Sequence, residues 1–422
     1  MAKPIVIVGA GIAGLVCARR LHRAGAPVLV LDAADRPGGR MKTDEVDGFL
    51  LDRGFQVTFT AYPHQRREID YASLDLRRFE PGARVWHGER WHFLHRDAPI
   101  ETLFCRLFGL GDKLRVLSWT REVSKMSIDE IRRLDDDATE VHLRRYGFSE
   151  AFIDRFARPF LGGIFLDPSL AFSRRQFAFV WKMLAEGDTV VPASGIEAIP
   201  RQVAADLPPD ALRMQARVRE LVREGERVAG VRLDCGETID AASVVIATDA
   251  PEAARLAGVP VPVGAKSSVC LYFETPEPVV FGNYLLLNGT GKGLINEIVP
   301  SSNLSDRVAP EGRHLCSCTI LGDSRRSDSD LLTWVRHELR AWMPGSDAWR
   351  LVHIVRVPYA QMLQSPGFGD QLPHVVTGTP GLFVAGEFTT NSSIDGAIES
   401  GLACARALLG EGARAEAEVA AV

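Results

Sequence analysis

Apolar residues fall into short unbroken runs near both ends of the chain, with alternating and four-residue patterns between them. Ile5 to Val8 is such a run. The small residues Gly9 to Gly14 follow at once, then a helical pattern that stops at Gly25, then a second run from Val28 to Leu31. Continuous apolar runs bounded by turn residues fit strands buried on both faces, as in a parallel sheet. The spacing predicts a β-α-β unit over the first 32 residues, with Gly25 ending the helix in a left-handed turn. From Arg84, "RVWHGERWHFL" reads as a hairpin with His87 and His92 flanking its turn. Residues 100 to 185 read as mostly helical. Phe148, Phe152, Phe156 and Phe160 recur every four residues along one helix face, a core or cavity wall, until Pro159 interrupts them. Residues 213 to 247 read as a small antiparallel meander, over Val218 to Val222, Val228 to Leu233 and Thr238 to Asp240, returning to a buried strand at Ser243 to Thr248. Residues 255 to 370 alternate strands with one helix, Ser329 to Met343, and predict a second, partly antiparallel sheet. Near the C-terminus, Leu382 to Val384 leads into a polar loop and a helix carrying Ile398, Leu402, Ala405 and Leu408. The small polar tail after Gly410 is expected to fray.

Composition narrows the function classes. The chain has 422 residues, 46% of them hydrophobic and 24% charged, enough for two cores. A net charge of −5 gives no sign of a nucleic-acid surface. Seven scattered cysteines argue against a disulfide framework and for a reducing compartment. Cys316 and Cys318 form C-x-C and are expected on one buried strand face; no cysteine or histidine group has metal-site spacing, so no metal is expected. The chain enters a strand without a basic leader, and no apolar run reaches about 18 residues. A cytoplasmic protein without a spanning helix is the expectation. Peripheral membrane contact stays open, and oligomeric state is not legible.

Gly9-Ala10-Gly11-Ile12-Ala13-Gly14 is G-x-G-x-x-G placed after a strand and at the opening of a helix. Gly9 permits the tight turn, Gly11 lets a pyrophosphate approach the backbone, and Gly14 lets helix and strand pack closely. Asp32 ends the second strand, 18 residues after Gly14, where an acid accepts from a ribose hydroxyl. An acid there disfavours a 2′-phosphate and does not separate NAD from FAD.

The next segment does. "LDAADRPGGRMKT", with Gly38, Gly39 and Arg40, resembles the start of the FAD-containing amine oxidase superfamily, in its protoporphyrinogen oxidase and phytoene-desaturase-like branch. "DGFLLDRGFQ" resembles the segment that follows, with Asp52 and Gly54 in the family's acid-x-Gly positions. "VPASGIEAIPRQVAADL", "ARVRELV" and the C-terminal "LFVAGEFTTNSSIDGAIESGLACARALL" continue the resemblance in order. It implies an α/β fold in which a Rossmann-type FAD-binding domain (1–80, 191–255 and 373–412) interleaves with a sheet-plus-helix substrate domain (81–190, largely helical, and 256–372), followed by a flexible tail at 413–422. The FAD contacts it implies are Gly9, Gly11, Ile12, Ala13, Gly14, Asp32, Ala33, Gly38, Gly39, Arg40, Met41, Gly54, Phe55, Gln56, Val218, Gly386, Glu387, Ile394, Gly396 and Ala397. Arg40 would reach a phosphate, Val218 the adenine, and Glu387 the ribityl or pyrophosphate part. The backbone of Ile394, Gly396 and Ala397 would face the isoalloxazine, where a helix N-terminus favours negative charge.

Amine oxidases of this superfamily carry a Lys near flavin N5. Aligning Tyr272 and Phe273 with the family's aromatic pair puts Ser268 at that position, with Lys266 two residues earlier and expected on the same strand face. Lys266 and Tyr359 are the weak catalytic candidates, and Phe388 and Tyr359 the candidate walls of an amine cage. "RPFLGGIFLDPSLAFS" (Arg158 to Ser173) resembles the segment beside the apolar pocket of protoporphyrinogen oxidases and phytoene-desaturase-like proteins. The expectation is an FAD-dependent oxidoreductase that dehydrogenates an apolar or amphipathic small molecule by hydride transfer to flavin N5. A peroxide-releasing amine oxidase, a non-redox flavin isomerase and a flavin-bound binding protein are the alternatives. Neither substrate nor electron acceptor is fixed by these residues. The "FTTNSS" loop, where the chain departs from its relatives, is expected to face the substrate.

Overall fold

The structure is a computed structural model that describes residues 2–262, 264–322 and 325–411. The tail at 413–422 lies outside the described residues. Five parallel strands form the first sheet, in the order Leu212–Arg213, Val28–Leu31, Ile5–Val8, Ser243–Ile246, Leu382–Val384. Three distant stretches of chain supply them, so the sheet closes only when the C-terminal strand arrives. Its central strands are buried on both faces, which explains their unbroken apolar runs. The meander follows the expected pattern as Val218–Glu224, Arg227–Leu233 and Thr238–Asp240.

The first helix, Ile12–Arg23, and the last, Ile394–Leu409, pack against each other on one face of this sheet. A Cβ at Gly401 would lie 2.3 Å from the Ala13 carbonyl oxygen, and one at Gly14 would lie 2.1 Å from the Gly9 oxygen. Side-chain-free positions thus let the two helices and the first strand approach closely, and the N-terminal ends of both helices face one cavity.

The second sheet has seven strands, in the order Arg350–Met362, Ala265–Thr275, His314–Leu321, Ile295–Val299, Leu285–Asn288, Gly82–His87, Arg90–His95. All neighbours are antiparallel except Leu285–Asn288 with Gly82–His87. The hairpin read from the sequence therefore completes a sheet whose other strands lie about 200 residues further on, since strand partners follow topology rather than local pattern. Helix Asp328–Trp342 covers one face with Leu331, Val335, Leu339 and Trp342. It starts one residue earlier than predicted because Ser327 caps it, accepting from the Asp330 amide at 3.2 Å. Cys316 and Cys318 share this covered face, buried and unpaired. The opposite face carries Ser268, Thr319, Glu297 and Leu287, which line the cavity.

A helical layer closes the cavity. The phenylalanine run does not end at Pro159. The chain takes a wide π turn over Ile153–Ala157 and resumes as Arg158–Phe165. A proline in a regular helix clashes with the carbonyl four residues back; the wider turn accommodates it. Phe148, Phe152, Phe156 and Phe160 remain in a continuous ladder, with ring centroids 4.3, 5.6 and 5.2 Å apart. Among the described residues, no helix is long and apolar enough to cross a membrane.

Candidate functional site

One cavity of about 920 Å³ runs between the two sheets. Its first half is built from turns. Gly9 has φ 115°, and a Cβ there would sit 2.5 Å from the Ala247 oxygen. At Gly11 a Cβ would meet no atom within 4 Å: the backbone fronts open space. Helix Ile12–Arg23 starts there without a side-chain cap, so its first amides have no side-chain acceptor and point to an anion. Asp32 accepts from the Ala10 and Ala34 amides, both at 2.7 Å, which fixes its carboxylate and leaves each oxygen a lone pair for a hydroxyl donor. Gly38 bridges to Gly11, and a Cβ at Gly39 would stand 3.2 Å from the Gly11 Cα, so the Gly-Gly-Arg loop lies directly on the first turn.

Arg40 joins this loop to the C-terminal segment. Its Nη1 donates to the Ala360 carbonyl at 2.9 Å and lies 2.7 Å from Glu387 Oε1, with its guanidinium over the Tyr359 ring. Glu387 is buried and also accepts from the Ser392 hydroxyl. The last helix is capped by Ser393, whose Oγ accepts from the Gly396 amide at 2.9 Å. Asp395 accepts from the His64 and Gln65 amides at 2.8 and 2.9 Å and contacts His64 Nδ1 at 2.9 Å. That hydrogen bond raises the His64 imidazole above its usual range.

Eighteen of the twenty residues expected to meet FAD line the cavity: Gly9, Gly11, Ile12, Ala13, Asp32, Ala33, Gly38, Gly39, Arg40, Met41, Gly54, Phe55, Gln56, Val218, Gly386, Glu387, Ile394 and Ala397. Gly14 sits behind them, in the helix–strand contact. Gly396 is also behind the wall: its amide is taken by Ser393, and a Cβ there would collide with the Asn391 oxygen at 2.5 Å. Of "FTTNSS", Asn391, Ser392 and Ser393 line the cavity, Thr389 hydrogen-bonds Ser400, and Phe388 is fully buried in the core of the first sheet.

The catalytic candidates stand elsewhere. Lys266 is turned into an ion pair with Asp167, Nζ to Oδ2 3.1 Å, and does not line the cavity, whereas Ser268 does. The two were expected on one strand face, but the pairing slips between them. Lys266 faces Gln361 and Ser268 faces Val357, so the partner strand bulges over Pro358 to Ala360. A bulge re-aims side chains, and proline, having no ladder donor, is tolerated in one. Tyr359 falls in the bulge, under Arg40, outside the cavity lining and with its hydroxyl unpartnered. With Phe388 in the core and Tyr359 under Arg40, neither forms a wall of an amine cage.

The second half of the cavity is apolar, with Tyr62, Phe160, Ile164, Phe179 and Leu287 on its wall. Glu297 lies among them, 2% exposed, and burial raises its carboxyl to about 7. Sequence reasoning missed this residue. The available signal was an acid inside the apolar run "LINEIVP". Asp52, half-buried two residues before Gly54, is likewise raised to about 6 by desolvation, against hydrogen bonds from Thr43 and Ile196.

An uncapped helix start, a fixed ribose-side acid, glycine turns without side chains and a long cavity fit a dinucleotide lying along the first half with its reactive end towards the apolar half. Comparison with known proteins agrees. Residues 12–409 match the family of flavin containing amine oxidoreductases. A phytoene dehydrogenase from Streptomyces griseus is 27% identical, over 92% of this chain and 91% of that protein. A zeta-carotene-forming phytoene desaturase from Myxococcus xanthus is 30% identical over 60% of this chain, but only 54% of that protein is spanned. A putrescine oxidase bound to putrescine shares the fold, with a TM-score of 0.72 and 17% identity over 97% of this chain and 99% of that one. The chain thus belongs to the flavin-containing amine oxidoreductase family and is an FAD-dependent oxidoreductase.

Proposed function

We propose that this protein dehydrogenates a hydrophobic or amphipathic small molecule held in the apolar half of the cavity. One observation carries the reading: the turn-built half and the apolar half are a single space, with no lysine among the described residues on its wall. When bound, FAD would supply the hydride acceptor for converting a C–C single bond to a double bond, with the second hydrogen released as a proton to water. The chain's own part is positioning. The uncapped amides at the start of the first helix, Asp32, the glycines around Arg40 and the Gly54–Gln56 segment would hold the cofactor. Tyr62, Phe160 and Phe179 would exclude water and press the substrate against it. Holding reacting atoms about 3–3.5 Å apart supplies several kcal/mol of a barrier without a side-chain acid or base. The names of the phytoene desaturase and phytoene dehydrogenase among the relatives support C–H oxidation, and the Lys266–Asp167 pair weighs against an amine-oxidase lysine. The test is anaerobic mixing of the holoprotein with apolar, porphyrinogen-type and amine substrates while following the flavin absorbance. Bleaching by an apolar substrate supports the reading; bleaching by simple amines alone overturns it.

We also propose that the substrate arrives from a lipid surface. Ile100, Leu103, Phe104, Leu110, Leu114 and Leu117, on helices Pro99–Phe104 and Leu110–Lys125, are each at least half exposed. Six large apolar side chains within one short segment exceed ordinary surface scatter. Arg106, Arg121 and Lys125 in the same segment suit anionic headgroups. Co-sedimentation with phosphatidylglycerol vesicles should be lost in Phe104→Glu/Leu114→Glu. No sedimentation of the parent protein, or a dimer dispersed by the same variant, overturns this.

A further inference from the structure

Among the described residues, Glu297 is the one carboxyl group lining the apolar half of the cavity; the others that line it, Asp32, Asp249, Glu252 and Glu387, belong to the turn-built half. A buried, desolvated carboxyl opposes folding unless something compensates it. Its nearest resident donor is Asn296 Nδ2, which also donates to the Pro159 carbonyl at 3.0 Å. The helix above leaves room for more. A Cβ at Gly163 would stand 2.9 Å from Asn296 Nδ2 and 3.2 Å from Glu297 Oε2, so any other residue there would crowd both the carboxyl and its donor. Gly162 has a separate reason, its Cβ position being 2.9 Å from the Pro168 Cα. The second glycine of "LGGIF" therefore keeps Glu297 open to the cavity.

The register of the sheet fixes how far this group lies from the junction of the two halves. Thr319 stands opposite both Cys270 and Glu297, and Ser268 is two residues further along the Cys270 strand. Two strand spacings and two residue rises put the Cα atoms of Ser268 and Glu297 roughly 12 Å apart. Ser268 adjoins Gly54, where the apolar half meets the turn-built half: its Oγ is 3.7 Å from a Cβ placed at Gly54. A group at Glu297 is too remote to take a proton from a carbon reacting at that junction. It is well placed to hold the other end of the same molecule.

We propose that Glu297 is the specificity-determining residue of the cavity, its carboxylate anchoring a cationic or N–H-bearing end of an amphipathic substrate several bonds from the carbon that is oxidised. This rests on the dehydrogenase reading above and names the substrate class for it. A pure hydrocarbon would leave the desolvated carboxyl with no donor beyond Asn296 and Thr319. An ammonium or N–H donor gives it a charge-assisted hydrogen bond, while Phe160, Ile164 and Leu287 cover the apolar body.

The test titrates the FAD-loaded protein with n-octylamine and with n-octanol in a calorimeter at pH 8. A charge-assisted hydrogen bond predicts octylamine binding at least about tenfold tighter than octanol. That preference should vanish in Glu297→Gln, which keeps shape and volume. It should shrink in Gly163→Ala, which crowds the carboxyl and its Asn296 donor while keeping the acid, and which serves if Glu297→Gln does not fold. No preference in the parent protein, or a preference unchanged in Glu297→Gln and Gly163→Ala, overturns the proposal. If the preference is absent while an apolar substrate still bleaches the flavin, the anchor alone fails. If no apolar substrate bleaches it, the dehydrogenase reading fails.

Discussion

Gly11→Ala separates fold from cofactor. Gly11 has φ −73° and ψ 172°, backbone that any residue adopts, and its Cβ would meet no protein atom within 4 Å. Nothing in the folded chain opposes the methyl group. Replacing glycine at a compatible position removes unfolded-state freedom and stabilises by about 0.4–1 kcal/mol. The open space it enters is where the account puts the pyrophosphate. Pushing a phosphate off the helix amides removes hydrogen bonds to a charged group, each worth about 1.5–3 kcal/mol, so FAD should bind roughly 10- to 100-fold more weakly per bond lost. The assay pairs the melting temperature of the apoprotein with FAD affinity from flavin fluorescence quenching. An unchanged or slightly raised apo melting temperature with weakened FAD binding is the expected result. Unaltered FAD affinity would refute the placement of the pyrophosphate at the first turn.

Gly401→Ala and Gly14→Ala should behave oppositely to Gly11→Ala: their Cβ atoms meet backbone oxygens at 2.3 and 2.1 Å, and overpacking of this kind costs about 1–3 kcal/mol, readable as a lowered apo melting temperature. Lys266→Met should leave anaerobic flavin reduction by an apolar substrate within about threefold, while stability falls by more than about 1 kcal/mol because the buried Asp167 loses its cation; a large loss of turnover would restore the lysine to catalysis. The raised Glu297 carboxyl sets a pH dependence of stability: the folded state binds a proton that the unfolded chain has released, so stability falls as pH rises from about 4.5 through about 7, by up to roughly 3 kcal/mol. Glu297→Gln should flatten that part of a urea-denaturation profile, and an identical slope in the variant would contradict it.

The parts legible in the sequence are those whose chemistry is local. Gly9 and Gly14 announce themselves because a tight turn and a close helix–strand contact each forbid a side chain within one short segment, and Gly11 between them because its open backbone is where a pyrophosphate would approach. Asp32 follows from the strand that ends there. Lys266 went astray for a reason no single strand reveals: the bulge that turns it out of the cavity lies in the partner strand, about 90 residues later, at Pro358 to Ala360. Phe388 looked like a cavity wall because aromatic residues serve cores and pockets equally. Its fate was decided by Gly386, whose φ of 152° turns the chain so that the Phe388 ring fills the space beside it. Glu297 was hidden because an acid in an apolar run gains meaning only when the fourth, central strand of a seven-stranded sheet and a glycine on a distant helix meet at the cavity.

The central claim is that one cavity holds FAD along its turn-built half and substrate in its apolar half. A crystal structure of the protein purified with its flavin tests this most directly. The adenosine ribose is expected at Asp32, the pyrophosphate over Gly11, and the isoalloxazine beside Gly54 and Ser268, with its free face towards Phe160. An isoalloxazine elsewhere, or with that face closed off from Phe160 and Glu297, would contradict it.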